Sequence, residues 1–177
     1  MQILYVYENA DASELFPEAP DMTADDAPDV RRWNDLPRAR RDAWFGLLRT
    51  HADITREIDA ELRARADLTL GEYDVLVQLS NGPVDGMRMH DLARAVVLSP
   101  SGLTRRVARL EAQGLVERKA ENARVVRSRL TREGKAVLAR GAPVNLGVVQ
   151  ARFLERLDDD EVALLAALWA RLGEPAA

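Results

Sequence analysis

A capped helix that leads directly into a short basic hairpin constrains the fold of this 177-residue chain more than any other feature. Ser99 and Pro100 signal the helix start, because serine caps free amides and proline suits the first helical position. Three apolar residues at i, i+4 and i+7 predict one buried face: Leu103, Val107 and Leu110. Gly114 then fits the left-handed residue that follows a helix end.

The residues after this helix no longer follow the helical period. Residues 115–119 and 125–130 form two short β-like runs, and 121–124 lie between them as a turn. A short helix predicted at about 89–96 precedes the capped helix. Helix, short helix, capped helix and hairpin in this order predict a mainly α protein with a winged helix-turn-helix lobe and a two-stranded wing.

Two regions differ in composition before that lobe. Residues 1–37 are acidic and interrupted by four prolines, so we interpret them as an N-terminal extension of the folded domain, which spans 38–177. Between 38 and 66 apolar residues recur at steps of four and three, which predicts one long helix. Its length is typical of a scaffold helix that bridges two structural units or packs on a partner chain.

Capping signals place the other helices. Thr69 and Glu72 have the spacing in which two side chains cap each other's free amides. Thr131 is expected to cap a long helix that runs to about residue 157. Asp158 and Glu161 begin the last helix, and capping explains this acidic run better than a metal site does.

The net charge of −4 hides a sharp asymmetry along the chain. Residues 88–140 hold 13 basic and five acidic residues, a net of +8, so the rest of the chain carries −12. Residues 1–35 hold nine acids and two arginines, a net of −7. One basic segment in an acidic protein indicates a local anion-binding face and excludes a uniformly cationic, non-specific DNA binder.

The helix at 100–113 presents a face that suits DNA. At about 100° per residue, the side opposite the buried stripe carries small residues and arginines, which permit close approach to a groove and bidentate contact with guanine. Candidate major-groove residues are Ser101, Gly102, Thr104, Arg105 and Arg109. Arg106 lies nearer the buried edge and suits a phosphate contact or a structural salt bridge.

The hairpin adds a second set of cations. Candidate wing and phosphate contacts are Arg106, Arg118, Lys119, Arg124 and Arg127, with Arg129 beside them. Taken alone, the arginines of the helix could be an ordinary solvated surface. The basic hairpin that follows at once favours nucleic acid as the partner.

Composition excludes several other classes of protein. The chain has no cysteine, which removes disulfide scaffolds, thiolate nucleophiles and zinc ribbons. No nucleophile elbow, phosphate loop or metal-ligand spacing is present, so we expect no enzyme activity, no cofactor and no metal. The start lacks a basic region and no apolar run approaches a membrane span, which favours a cytoplasmic protein.

The segments LSPSGLTRRVARLEAQGLVER and LTREGKAVL are the most specific parts of a broader resemblance. From about residue 38 to 173 the chain resembles the MarR family of bacterial transcription regulators. The resemblance implies a DNA-binding lobe at about 69–131 and dimerisation helices at about 38–66 and 131–173. It also implies a homodimer on a pseudo-palindromic operator, acting most often as a repressor.

The family pattern also assigns roles within the lobe. The recognition helix is expected in the major groove, and a wing-tip arginine, best matched by Arg124, in the minor groove. Where the family usually has an Asp-rich tip, this chain reads Ala-Glu-Asn-Ala before Arg124, so its wing looks shorter.

Small aromatic or phenolic acids are the effectors that the resemblance implies, held between the dimerisation helices and the DNA-binding lobe. Trp44, His51 and Tyr73 would then line the pocket, with His51 as a polar anchor in an apolar surrounding. Alternatively, His51 is an ordinary buried or interfacial histidine. Two other functions stay open: a DNA-binding regulator without an effector, and an interaction module whose acidic arm binds a basic protein.

Overall fold

A computed structural model of the chain describes residues 32–96, 100–122 and 125–173. Its helices are α1 (Arg38–Ala66), α2 (Leu70–Asn81), α3 (Met89–Ala95), α4 (Pro100–Ala112), α5 (Arg132–Arg152) and α6 (Asp159–Gly173). Its strands are β1 (Met87–Arg88), β2 (Val116–Asn122) and β3 (Val125–Leu130), and 3₁₀ turns occupy Trp33–Asp35 and Leu154–Arg156. The predicted winged helix order is confirmed. Residues 1–31 of the predicted extension, and Ser99, lie outside the described residues.

The chain divides after Asp53 into two units. In residues 32–53, the ring of Trp33 stacks on that of Trp44, with centroids 6.4 Å apart and planes 8° from parallel. Phe45 packs against Trp33 in a tilted arrangement at 5.3 Å. The unit that begins at Ile54 contains every buried apolar residue of the core.

The capping predictions are confirmed at three helix starts. The Thr69 hydroxyl accepts a hydrogen bond from the Glu72 amide at 3.1 Å, and the Glu72 carboxylate accepts one from the Thr69 amide at 2.8 Å. The Thr131 hydroxyl accepts from the Gly134 amide at 3.0 Å. At α6 the Asp158 carboxylate accepts from the Glu161 amide at 2.8 Å. Each cap satisfies an amide that the first helical turn leaves without a partner.

The core positions α4 by its apolar face. Leu103, Val107 and Leu110 are no more than 1% exposed, as their spacing predicts. Helix α2 packs against α4, α5 and β3, and α4 also packs against α3 and β2. Gly114 has φ +72°, the left-handed conformation that glycine adopts without strain, and so turns the chain from α4 into the wing.

The sheet has one strand more than predicted. Its order is β1–β3–β2, all antiparallel, because Met87 and Arg88 pair with Ser128 and Arg127 of β3. A two-residue strand carries too little periodicity to be recognised before its partner is known. Strand β2 extends to Asn122, through part of the predicted turn, and its pairing with β3 is irregular between Ala120 and Asn122.

The C-terminal helices also differ from the prediction. Helix α5 ends at Arg152 rather than near residue 157, because the backbone leaves helical geometry at Phe153 (φ −132°, ψ −66°). An N-cap residue itself lies outside helical geometry, so the cap of α6 at Asp158 requires the preceding helix to end first. Within the described residues, no helix is both long enough and apolar enough to span a bilayer.

Candidate nucleic-acid interface

The face of α4 that is turned away from the core is open to solvent. Thr104, Arg105, Ala108, Arg109 and Ala112 are all exposed. Gly102, a predicted major-groove residue that flanks this face in the sequence, is buried and so lies on the core side of the helix. Ser101 belongs to α4, but its side chain lies outside the described part of the structure.

Arg105 and Arg109 share this face but differ in their partners. Among the described residues, Arg105 forms no ion pair or hydrogen bond and is exposed. The Nε of Arg109 lies 3.0 Å from Oε1 of Glu72. Only 2% of the Glu72 side chain is exposed, against 58% for Arg109. One arginine therefore has no partner among the described residues, while its neighbour one turn later pairs with a buried carboxylate.

Arg106 lies closer to α2, as its position nearer the buried stripe predicts. A Cβ atom added at Gly71 would lie 2.5 Å from Arg106 Nε and 3.0 Å from its Cζ. The guanidinium therefore occupies space that a side chain at position 71 would take, and it would have to shift if one were present. Arg106 also acts electrostatically on two carboxylates, Asp59 and Asp74.

Those two carboxylates titrate in opposite directions. Burial raises the pKa of Asp59, but hydrogen bonds from Arg63 and the Leu70 amide outweigh it and leave this pKa below its ordinary 3.8. Burial also raises the pKa of Asp74, and here the opposing charge of Arg106 is too weak to reverse the shift. The charged form of Asp59 is therefore stabilised by hydrogen bonds, and that of Asp74 only by the nearby charge of Arg106.

A cleft of about 360 Å³ lies where α1, α2 and α4 meet. Four arginines and two acids dominate its lining, so its surface is strongly polar. The lining residues are Asp59, Arg63, Thr69, Gly71, Glu72, Gly102, Arg105, Arg106 and Arg109.

The wing holds most of its arginines in local contacts. Arg118 pairs with Glu111 at the end of α4, its Nε 2.6 Å from Oε2. Arg129 donates to Glu117 across the β2–β3 pair at 2.6 Å. Ion pairs at such exposed positions contribute little to stability, so both arginines can exchange these partners for phosphates.

Arg127 and Lys119, two further wing residues, differ in their surroundings. Arg127 donates to the Gly86 carbonyl at 3.0 Å, which fastens β3 to the turn before β1. Lys119 is exposed and lies opposite Arg127 in the strand register. Arg124, the predicted wing-tip residue, lies outside the described residues.

Comparison with known proteins agrees with this geometry. The model of the MarR family matches residues 66–124, from the end of α1 to the wing. An HTH-type transcriptional regulator of Bacillus cereus is 28% identical over 129 residues, covering 73% of this chain and 85% of that protein. Sco3205, a MarR family transcriptional regulator from Streptomyces coelicolor solved in complex with DNA, is 27% identical. Its TM-score is 0.71, over 80% of this chain and 95% of that one.

Residues 66–124 of the chain match the MarR family model, and the fold over 80% of the chain is that of a solved MarR family regulator. CouR from Rhodococcus jostii, solved with bound p-coumaroyl-CoA, has the same fold at 22% identity and a TM-score of 0.65, over 77% of this chain and 94% of that one. The curated relatives and the solved neighbours are transcriptional regulators.

The three effector candidates fall into different units. Trp44 and His51 lie in residues 32–53, where both are exposed in the single chain. Tyr73 lies in the second unit and is 7% exposed. Burial and the nearby charge of Asp74 raise the pKa of Tyr73. They outweigh a hydrogen bond with Asn145, which lowers it. His51 is thus not a buried histidine of the single chain.

Sequence reasoning missed the ion pair between Glu72 and Arg109. The Thr-x-x-Glu spacing identified Glu72 as a capping residue, which accounts for one of its oxygens. No local pattern connects it to an arginine on the second helix after its own. The sequence offered one signal: α4 carries three arginines, any of which could pair with the capping acid Glu72 if the two helices pack together.

Proposed function

We propose that this regulator binds a pseudo-palindromic operator as a homodimer and represses transcription until a small aromatic or phenolic acid releases it. The observation that supports DNA reading best is the division of α4. Its apolar stripe is buried in the core, and its exposed face carries Arg105 and Arg109 beside a basic wing.

The contacts follow from exposure. Arg105 is assigned to guanine edges in the major groove, because an unpaired and exposed guanidinium can approach them bidentately. Thr104 and Arg109 share this face, and Ser101 belongs to it by sequence. Lys119, Arg118 and Arg127 are assigned to phosphates, and Arg106 to a phosphate or to its place over Gly71. Arg124 is assigned to the minor groove from the family pattern.

Dimerisation is supported by the C-terminal helix. None of the residues of α6 is buried within the described chain, although it carries Val162, Leu164, Trp169 and Leu172. An apolar helix face of this kind matches an obligate interface between identical chains.

The test of DNA binding uses the native upstream region and a scrambled duplex of equal length. Sequence-specific binding should exceed scrambled binding by about 10³-fold or more. Affinity for both should fall as salt rises, because phosphate contacts release counterions. Equal affinity for the two duplexes would contradict an operator-binding regulator.

The effector proposal rests on the exposed aromatic surface of the first unit. Trp44 keeps 42% of its surface exposed, so an aromatic ring can stack on it, and the exposed His51 can meet a carboxylate. Tyr73, which is buried in the second unit, stays a sequence-based candidate for contact with the effector. A ligand that changes the separation of the two recognition helices, about one DNA turn apart, would couple negatively to the operator.

A panel of phenolic and aromatic acids, followed by Trp fluorescence and operator release, tests the effector. Wild type should release DNA, and His51→Ala should need about tenfold more of the same acid, as loss of one charged contact implies. Release that is unchanged in His51→Ala would reject this anchor. No response to any acid would favour a regulator without an effector.

A further inference from the structure

Glu72 on α2 and Arg109 on α4 form an ion pair whose partners differ sharply in exposure. Arg109 Nε lies 3.0 Å from Glu72 Oε1, and Glu72 is 2% exposed. The other oxygen, Oε2, accepts hydrogen bonds from the Thr69 amide at 2.8 Å and from the Thr69 hydroxyl at 2.9 Å. Both oxygens of the carboxylate are thus engaged, one by the cap of its own helix and one by the recognition helix.

The cap fixes the carboxylate, and the carboxylate limits the arginine. A long side chain loses rotamer freedom when it binds a groove, and a side chain held in advance loses less. Arg109 keeps 58% of its side chain exposed while it is paired, so its remaining donors stay accessible. Arg105 has no such restraint among the described residues.

We propose that Glu72 is a positioning residue for DNA recognition. It holds the Arg109 guanidinium in one orientation before DNA binds, so that the guanidinium is already ordered when it reaches a base edge. The proposal rests on the proposed function, because it requires the exposed face of α4 to meet DNA. It adds a specificity role for a buried residue that does not itself touch the nucleic acid.

Charge and position predict opposite signs for the loss of this carboxylate. An acid beside a DNA-facing surface repels phosphates, so removing only its charge should tighten binding to every duplex. Removing a positioning residue should instead weaken binding to the operator and leave scrambled DNA bound as before or more tightly. The sign of the change in operator affinity therefore separates the two roles.

Glu72→Gln tests this in the full-length protein. The amide keeps an oxygen for the Thr69 cap and loses the charge that pairs with Arg109. We expect the operator Kd to rise about 5- to 10-fold, within the range of one base contact, with no rise for scrambled DNA. In an Arg109→Ala background the same change should move the operator Kd by less than about twofold, because residues that act as one unit are not additive.

Two further variants keep the test independent of folding. Glu72→Asp retains the charge but shortens the reach to Arg109, so it should weaken operator binding as Glu72→Gln does. Thr69→Ala removes the cap hydroxyl but keeps the Thr69 backbone amide, which donates to Oε2 at 2.8 Å, so the carboxylate and its ion pair stay in place. It should lower the unfolding temperature and leave the operator Kd unchanged at temperatures where the protein is folded.

Three results would overturn the positioning role. They are tighter operator binding by Glu72→Gln, an equal loss in the Arg109→Ala background, and a loss of the same size in Thr69→Ala. If wild type binds the operator and Arg109→Ala binds it as tightly, the positioning role fails and the proposed function stands. If wild type does not prefer its operator, the proposed function itself fails.

Discussion

Helices α4 and α6 are both amphipathic, yet the chain covers only one of them. The apolar stripe of α4 is packed inside the core, and its outer face is left to arginines, threonine and alanines. In α6 no residue is buried, and Trp169 and Leu172 remain 45% and 68% exposed. The same local periodicity therefore gives one helix whose polar face is free and another whose apolar face is free.

The difference indicates what each helix still lacks. A covered apolar face means that α4 is already placed, so its polar side is available for recognition. A helix face with several large apolar side chains exposed is unusual on a monomeric protein and indicates an interaction site. Substitutions on the exposed face of each helix should therefore have different effects. In α6 they should prevent dimer assembly, and in α4 they should reduce the preference for the operator sequence.

The largest effect is expected for Trp169→Glu. A charge in an apolar interface between two chains is costly to bury, so the variant should be a monomer by light scattering at micromolar concentration. One recognition helix alone cannot engage two half-sites, and operator affinity should fall at least 100-fold. Ala170→Glu, on the alanine side of the same helix, should remain a dimer. A dimeric mass for Trp169→Glu would contradict the assignment of α6 to the interface.

The next effect is expected for Arg105→Ala. Loss of one bidentate base contact should cost about 1–3 kcal/mol and relax the preference at one position in each half-site. The dimer mass should not change. Arg105→Lys is the matched control, because it keeps the charge but cannot form the fork. It should preserve the salt dependence of binding and lose most of the base preference, as measured on operators with single substitutions.

Much of the fold could be predicted because its signals are local. The boundaries of α1 match the prediction at both ends, and Thr69, Thr131 and Asp158 cap the helices assigned to them. Gly114 supplies the positive φ that separates α4 from the wing. Each of these features depends on residues within one or two turns of one another, which sequence spacing reports directly.

What could not be predicted depends on contacts between distant segments. Strand β1 exists only because β3 pairs with it. Gly102 lies at the edge of the predicted face of α4, and only the packing of α2 against that helix decides that it is buried. The engagement of Glu72 with Arg109 has the same origin. The candidate site was thus predictable as a face, but the partners of its individual arginines were not.

A smaller effect is expected for Asp59→Asn, which loosens the link between α1 and the start of α2. Asp59 accepts hydrogen bonds at 2.7 Å from both Arg63 and the Leu70 amide, and its pKa lies below 3.8. A lowered pKa in the folded state means that its contribution is present above the unfolded value and is lost as the pH falls through the folded value.

At neutral pH the Asp59→Asn variant should lose about 1 kcal/mol of unfolding free energy, the worth of one partly exposed charged contact. Urea unfolding of both proteins from pH 7 to about pH 3 should show the difference narrowing below the ordinary pKa of 3.8. A difference that widens on acidification would contradict the sign. The dimer mass should again be unaffected.

The smallest effect is expected for Gly71→Ala, which displaces Arg106 without removing a charge. The new Cβ would lie 2.5 Å from Arg106 Nε, so the guanidinium must move, and a flexible side chain does so at low cost. Alanine also gains about 0.5–1 kcal/mol over glycine inside a helix. The net change in stability should stay within about 0.5 kcal/mol. Gly147→Ala is the matched control, because a Cβ there meets no atom within 4 Å and reports the helix gain alone.

If Arg106 contacts a phosphate, Gly71→Ala should weaken binding to operator and scrambled DNA by the same factor, unlike Arg105→Ala. Loss of base preference in Gly71→Ala would instead place Arg106 among the residues that read the sequence.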